Sequence, residues 1–229
     1  MKRLFGMAAV SAALAGLAGV ANAATFVSFS SYQTALNPGE VLVTNFDGPS
    51  ISVPSGFTTG GDAAVMTGTN SSGAAPAFSA STVDTTQYLS VGAGQTFTLT
   101  SPELNEISFY VGSLDPYNSI TFSGAGGFSQ TFTGAQLTAA TAAADQANGD
   151  QRAAGANGRY TFTFDQAINA VQLASASPAF EISNIGAVTA GDLALVPEPA
   201  AWALMVLGFG GLGAGLRAQR KTRSRTVSA

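Results

Sequence analysis

The sequence predicts an all-β protein: a single antiparallel β-sandwich, jelly-roll-like, flanked by an N-terminal signal peptide and a C-terminal transmembrane helix. Three observations lead to this prediction. Short runs between residues 25 and 185 alternate apolar with small polar side chains, turn-forming residues separate the runs, and the segment that holds them is about 170 residues long. Alternation places the apolar side chains on one sheet face, and many short strands with intervening turns are typical of sandwiches and barrels.

Nine alternating runs are the predicted strands. They cover residues 25–29, 41–46, 96–100, 107–111, 119–122, 128–133, 160–164, 170–174 and 180–185. Asn157-Gly158 stands before the seventh run and predicts a tight hairpin or a loop exit, because both residues tolerate positive φ. A brief helix is expected over 31–36, and the alanine-rich stretch 134–145 is interpreted as a surface loop with partial helicity.

The predicted core consists of the large apolar residues in these runs. They are Leu104, Ile107, Phe109, Val111, Ile120, Phe122, Phe128, Phe132, Phe162, Phe164, Val171, Leu173, Phe180 and Ile182.

The charges exclude several classes of function. Residues 24–196 contain twelve acidic residues, two arginines (Arg152 and Arg159) and no lysine. A surface of this sign cannot neutralise phosphates, so we expect no nucleic-acid partner. The chain has no histidine and no cysteine, which excludes a Ser-His-Asp triad, a thiolate nucleophile, a disulfide and a zinc site built on imidazole or sulfur.

The N-terminus is typical of a secretory signal peptide. Lys2 and Arg3 precede an uncharged apolar run, which ends in small residues up to Ala21 and Ala23. This order of basic, apolar and small-residue regions predicts export and cleavage between Ala23 and Ala24. Residues 1–23 are therefore assigned as the signal peptide and residues 24–196 as the exported domain.

The C-terminus predicts a membrane span. Seventeen uncharged residues, 200–216, lie between Pro199 and Arg217, which is close to the lower limit for a helix that crosses a bilayer. Basic residues that stop transfer follow at once, and positive charge stays on the cytoplasmic side. They are Arg217, Arg220, Lys221, Arg223 and Arg225.

This tail also resembles a sorting signal. Pro197, Glu198 and Pro199, then Trp202, the apolar span and the arginine-rich end occur in the order of the PEP-CTERM domain, over about 33 residues. The resemblance implies export by the Sec machinery and transient insertion in the inner membrane. An exosortase, a membrane-embedded protease of Gram-negative bacteria, would then remove the tail near the tripeptide. The body would pass to the cell surface or extracellular space, often in a biofilm matrix of exopolysaccharide. A permanent single-pass anchor facing the periplasm is the alternative.

A second resemblance lies in the body. Residues 112–122, which read GSLDPYNSITF, resemble a strand–turn–strand signature of one group of exosortase-dependent surface proteins. The stretch 180–185 resembles the closing strand of that group, with Ser183 in place of its usual acid. The resemblance implies a location and a fold but no activity.

The same stretches contain oxygen ligands of the type that calcium prefers. These are Asp115, Asn118, Glu181 and Asn184. The alternative is structural: Asp115 and Asn118 would form an Asx turn, and Glu181 would be a charge on an edge strand. Calcium is the only cofactor that the sequence suggests.

Two functions of different class remain open. A β-sandwich that presents Tyr88, Tyr110, Tyr117 or Tyr160 beside Asp and Asn would bind matrix polysaccharide without catalysis. A carbohydrate-active enzyme would need two facing carboxylates, for which Glu103, Glu106 and Glu181 are candidates. The absence of a catalytic motif favours the non-enzymatic surface protein.

Overall fold

The structure is a computed structural model that describes residues 24–140 and 148–193. In these residues, ten strands and two short α-helices follow each other. They are β1 Thr25–Ser31, β2 Val41–Thr44, β3 Thr58–Gly61, β4 Ala64–Thr67, β5 Gln87–Val91, β6 Thr96–Gly112, β7 Asn118–Gly124, β8 Ser129–Thr133, α1 Gly134–Ala140, β9 Gly158–Ser175, β10 Phe180–Thr189 and α2 Ala190–Leu193. The strand pairs are antiparallel, so the predicted all-β class is confirmed.

Two long strands organise the sheet. The first part of β6 pairs with β3 and with the end of β9. The end of β9 also pairs with β7, and β7 pairs with β8. The second part of β6 pairs with β10 and with the start of β9, which also pairs with β1. The register between β6 and β9 shifts around Leu104, beside Pro102, which has no amide hydrogen to donate. The long strands thereby contribute to two layers.

The two layers face each other across an aromatic core. Phe122 of β7 lies 4.7 Å from Phe162 and 4.9 Å from Phe164 of β9, and 6.4 Å from Phe109 of β6, measured between ring centroids. Tilted and edge-on contacts at these distances are favourable for aromatic pairs. The arrangement is sandwich-like. The predicted core residues belong to this core except Phe128 and Phe132, which are partly buried and pack against it.

Several predicted elements were wrong or incomplete. Residues 31–36 form the end of β1 and a turn, not a helix. The four predicted runs 96–100, 107–111, 160–164 and 170–174 are parts of the two long strands β6 and β9. Strands β3, β4 and β5 were not predicted. Residues of β3 are all exposed and read Thr-Thr-Gly-Gly, so this strand has no apolar alternation to detect.

The alanine-rich stretch begins as a helix because of a capping box. The Thr133 hydroxyl accepts a hydrogen bond from the Gln136 amide (3.2 Å), and Gln136 Oε1 accepts one from the Thr133 amide (2.9 Å). The predicted partial helicity is thus present in α1, and residues 141–147 lie outside the described residues.

Both predicted targeting segments lie outside the described residues. These are the signal peptide, 1–23, and the sorting tail, 197–229. Within residues 24–140 and 148–193, no helix is long and apolar enough to cross a bilayer.

Candidate functional site

A polar pocket lies where strands β6 and β10 meet the loops around them. Its walls come from four segments: 70–74, 113–117, 148–151 and 178–181. The cavity holds about 270 Å³. We call it the acidic pocket, because two carboxylates, Asp115 and Glu181, line it together with the exposed amides of Asn70, Asn148 and Gln151.

Glu181 is the buried carboxylate of the pocket. It lies on β10 between Ser90 of β5 and Gly112 of β6, and its side chain is only 2% exposed. Oε1 accepts a hydrogen bond from the Ala74 amide (2.8 Å), and Oε2 accepts one from the Ser113 hydroxyl (2.9 Å). The alternative that Glu181 is an edge-strand charge was therefore wrong, because β10 is paired on both sides.

Burial makes Glu181 a weaker acid than an exposed glutamate. Loss of water raises the pKa of its carboxyl from 4.5 to about 7, and the nearby charge of Asp115 adds to this rise. The hydrogen bonds from Ala74 and Ser113 oppose it. The two arginines of the body, Arg152 and Arg159, are not among the described residues that line the pocket. Glu181 consequently changes its protonation near neutral pH.

Asp115 forms the half-buried wall of the same pocket. Its amide donates to Asn118 Oδ1 (2.7 Å), and the Asn118 amide donates to the Asp115 carbonyl (3.1 Å), which closes a turn. Burial raises the pKa of the Asp115 carboxyl, against a hydrogen bond from Tyr117. The Tyr117 hydroxyl is also placed to donate its one proton to the Pro178 carbonyl (3.1 Å) instead. Burial, and then Asp115, raise the pKa of the Tyr117 hydroxyl to about 12, so Tyr117 remains a neutral donor.

The four residues predicted as calcium ligands do not all converge. Asp115 and Glu181 share the pocket, whereas Asn118 uses its side-chain oxygen for the Asp115 amide and its nitrogen for Ser175 Oγ and the Ala179 carbonyl. Asn184 Oδ1 accepts a hydrogen bond from Arg159 Nη2 (2.5 Å) and is not among the lining residues. The described residues contain no group of three or more acidic side chains placed to hold a metal ion. Calcium binding stays a prediction, centred on Asp115 and Glu181.

Asn157 fixes the loops around the pocket, a role that the sequence did not suggest. Its Oδ1 accepts hydrogen bonds from the amides of Ala77 and Ser113, both at 3.1 Å, and its Nδ2 donates to the carbonyls of Asp150 (2.9 Å) and Ala153 (3.0 Å). Asn157 is fully buried. Of the two alternatives predicted at Asn157-Gly158, the loop exit is present, because Asn157 ends the loop and Gly158 begins β9. The tight hairpin was wrong, and neither residue has positive φ.

A second hollow adjoins the acidic pocket. It measures about 350 Å³ and shares Ser71 and Pro178 with the acidic pocket, while its other lining residues include Ala64, Met66 and Gln95. We call the two hollows together the groove. A groove with two adjoining hollows has room for more than one unit of a linear chain.

Of the tyrosines proposed to bind sugars, the groove presents one. Tyr88, Tyr110 and Tyr160 are fully buried, so their prediction as stacking surfaces was wrong. The Tyr88 hydroxyl donates to the Gly68 carbonyl (2.6 Å), and Tyr110 donates to that of Ala77. Tyr117 is 36% exposed and lines the acidic pocket.

The other candidate carboxylates lie elsewhere. Glu103 is exposed on β6, and Glu106 on the same strand accepts a hydrogen bond from the Thr163 hydroxyl (3.2 Å). Burial, followed by the charge of Glu40, raises the pKa of Glu106. Neither residue lines the groove. The pocket that the structure reveals therefore combines Glu181 with Asp115, not with Glu103 or Glu106.

Neither a protein-family model nor a curated protein sequence matches this chain.

Proposed function

We propose that the chain is an exported surface or extracellular-matrix protein, sorted by an exosortase, whose β-domain binds matrix polysaccharide without catalysis. The sequence supports the sorting part of this proposal through its signal peptide, tripeptide, span and basic tail. The observation that supports the binding part is the groove. It joins an exposed tyrosine, amides and carboxylates in one concave surface, and such convergent polar groups are typical of ligand sites.

The binding test uses retention on the polysaccharide matrix of the native cells. The proposal expects retention of the purified protein, and a clear loss with Tyr117→Ala. Tyr32→Ala is the matched control, because Tyr32 lies outside the groove. Equal retention of both variants, or no retention of the unchanged protein, would contradict the proposed role of the groove.

The sorting test uses the intact mass and location of the protein in its native cells. A mature chain that starts at Ala24, ends near Pro199 and lies outside the inner membrane is expected. A full-length C-terminus retained in the inner membrane would instead support the single-pass anchor.

A carbohydrate-active enzyme is the second candidate, because Asp115 and Glu181 line one pocket and the pKa of Glu181 is about 7. A glycosidase needs one protonated and one ionised carboxyl on opposite sides of the scissile bond. Binding is favoured because the sequence contains no recognisable catalytic motif around these carboxylates. Reducing sugar released from a polysaccharide panel, and abolished by Glu181→Gln, would reverse this choice.

We also propose that the sandwich-like sheet has jelly-roll-like connectivity. Its support is that β6 and β9, which are neighbours in the sheet order, also pair with strands outside that order, β6 with β3 and β9 with β1.

A further inference from the structure

The groove contains two carboxyl groups and, among the described residues that line it, no cation to pair with them. Between Arg3 and Arg217 the chain has two cations, Arg152 and Arg159. Arg159 is buried and bound to Ser108 Oγ (2.7 Å) and to the carbonyls of Ala35 and Thr34 (2.9 Å each). Among the described residues, neither arginine lines either hollow. Within the described part of the chain, a ligand would therefore meet Asp115 and Glu181 without competition from an arginine.

The two carboxylates differ in depth and in remaining hydrogen-bonding capacity. Glu181 lies at the buried end of the pocket, and each of its oxygens accepts one hydrogen bond of about two that a carboxylate oxygen can accept. Asp115 is half-buried in the wall. A cationic group between them would favour the ionised form of both carboxyls, and a charge-assisted hydrogen bond is stronger than a neutral one.

The same charges exclude a second class of ligands. An acidic sugar, such as a uronate or a sulfated hexose, would place a further negative charge beside Asp115 and would oppose the ionisation of Glu181, because like charges brought together without a counter-ion repel. A neutral sugar would gain hydrogen bonds from Asn148 and Gln151 but no charge pairing.

We propose that the groove selects amino sugars: it binds a linear glycan of which one unit places a protonated amine against Asp115 and Glu181, while the next unit occupies the second hollow. This inference rests on the proposed function, because it names the glycan class that the groove would bind.

The experiment is calorimetric titration of the purified full-length chain with three oligosaccharides of equal length: a glucosamine tetramer, its N-acetylated counterpart and a tetramer of galacturonic acid. Titrations are made at about pH 6, where an amino group is protonated. We expect the glucosamine tetramer to bind at least about tenfold more tightly than the N-acetylated one, and the galacturonate not to bind. The binding enthalpy should also depend on the buffer, because an ammonium group would ionise Glu181 and release its proton.

Variants distinguish local recognition from general attraction. Asp115→Asn should reduce the preference for the amine by about tenfold, whereas Glu103→Gln removes one exposed charge outside the groove and should leave it unchanged. Glu181→Gln should abolish the buffer dependence of the enthalpy. Melting curves of each variant, measured alongside, show whether it is folded.

The outcomes separate the two proposals. Binding of none of the three ligands would contradict glycan binding itself. Equal or tighter binding of the N-acetylated tetramer would overturn the amino-sugar inference and leave glycan binding intact. The inference would also fail if Asp115→Asn kept the full preference, or if Glu103→Gln lost it to the same extent.

Discussion

The protonation of Glu181 should make the stability of the protein fall between weakly acidic and neutral pH. The carboxyl has a pKa of about 7 in the folded protein, against the ordinary value of 4.5. Between these two values, the folded state keeps its proton while the unfolded state releases it. Because the folded state then binds more protons, the free energy of unfolding decreases as the pH rises through this window.

The magnitude follows from the same shift. A rise in pKa from 4.5 to about 7 corresponds to a difference of roughly 3 kcal/mol in the free energy of unfolding between the low-pH and high-pH limits. The stabilising contribution is complete below about pH 4.5 and lost above about pH 7. Glu181→Gln removes this titration but retains an acceptor for the Ala74 amide, and the Ser113 hydroxyl can rotate to accept from the new amide.

The assay is urea unfolding, followed by circular dichroism, at several values between about pH 4 and about pH 8. As the pH rises across this range, the free energy of unfolding should fall by roughly 3 kcal/mol more in the unchanged protein than in Glu181→Gln. Asp115, Tyr117, Asp84 and Tyr88 also surround this region, and they are present in both chains, so the comparison isolates Glu181. Glu103→Gln, at an exposed site, should behave as the unchanged protein does. Parallel pH profiles for the unchanged protein and Glu181→Gln would refute the reasoning.

Three further predictions concern the residues that hold the fold. Asn157→Ala should lower the unfolding free energy by roughly 3–5 kcal/mol, because it leaves two amides and two carbonyls without their partner. Urea unfolding measures this change, and a loss below about 1 kcal/mol would contradict the role of this side chain. Arg159→Lys should cost roughly 2–4 kcal/mol, since one ammonium cannot replace a guanidinium that reaches Ser108, two carbonyls and Asn184. The exposed Arg152→Lys is its control in the same assay, and equal effects of the two substitutions would argue against the buried network. Phe122→Ala should lower the free energy of unfolding by roughly 3–5 kcal/mol, because it opens a cavity between the layers. Phe26→Ala is the control: this side chain is 68% exposed, so its removal should change the stability little.

The sequence by itself determined the fold class and most of the core. Strands with an apolar alternation, such as β1 and β7, were found because their two faces differ in burial: the faces are half-buried and exposed in β1, and buried and half-buried in β7. Phe109, Phe122 and Phe162 were predicted as core for the same reason and are fully buried. The targeting segments were likewise interpreted from charge and hydropathy alone, because a translocation system responds to these properties before the chain has folded.

The tertiary structure decided the site. Asp115 and Glu181 are 66 positions apart, and only the pairing of β10 with β6 brings the loop after β6 to the start of β10. Residue type does not reveal that Glu181, Tyr88 and Asn157 are buried, since charged and polar side chains are usually exposed. Their burial depends on long-range strand pairing and on loops that fold over the sheet, and a local pattern contains no record of either.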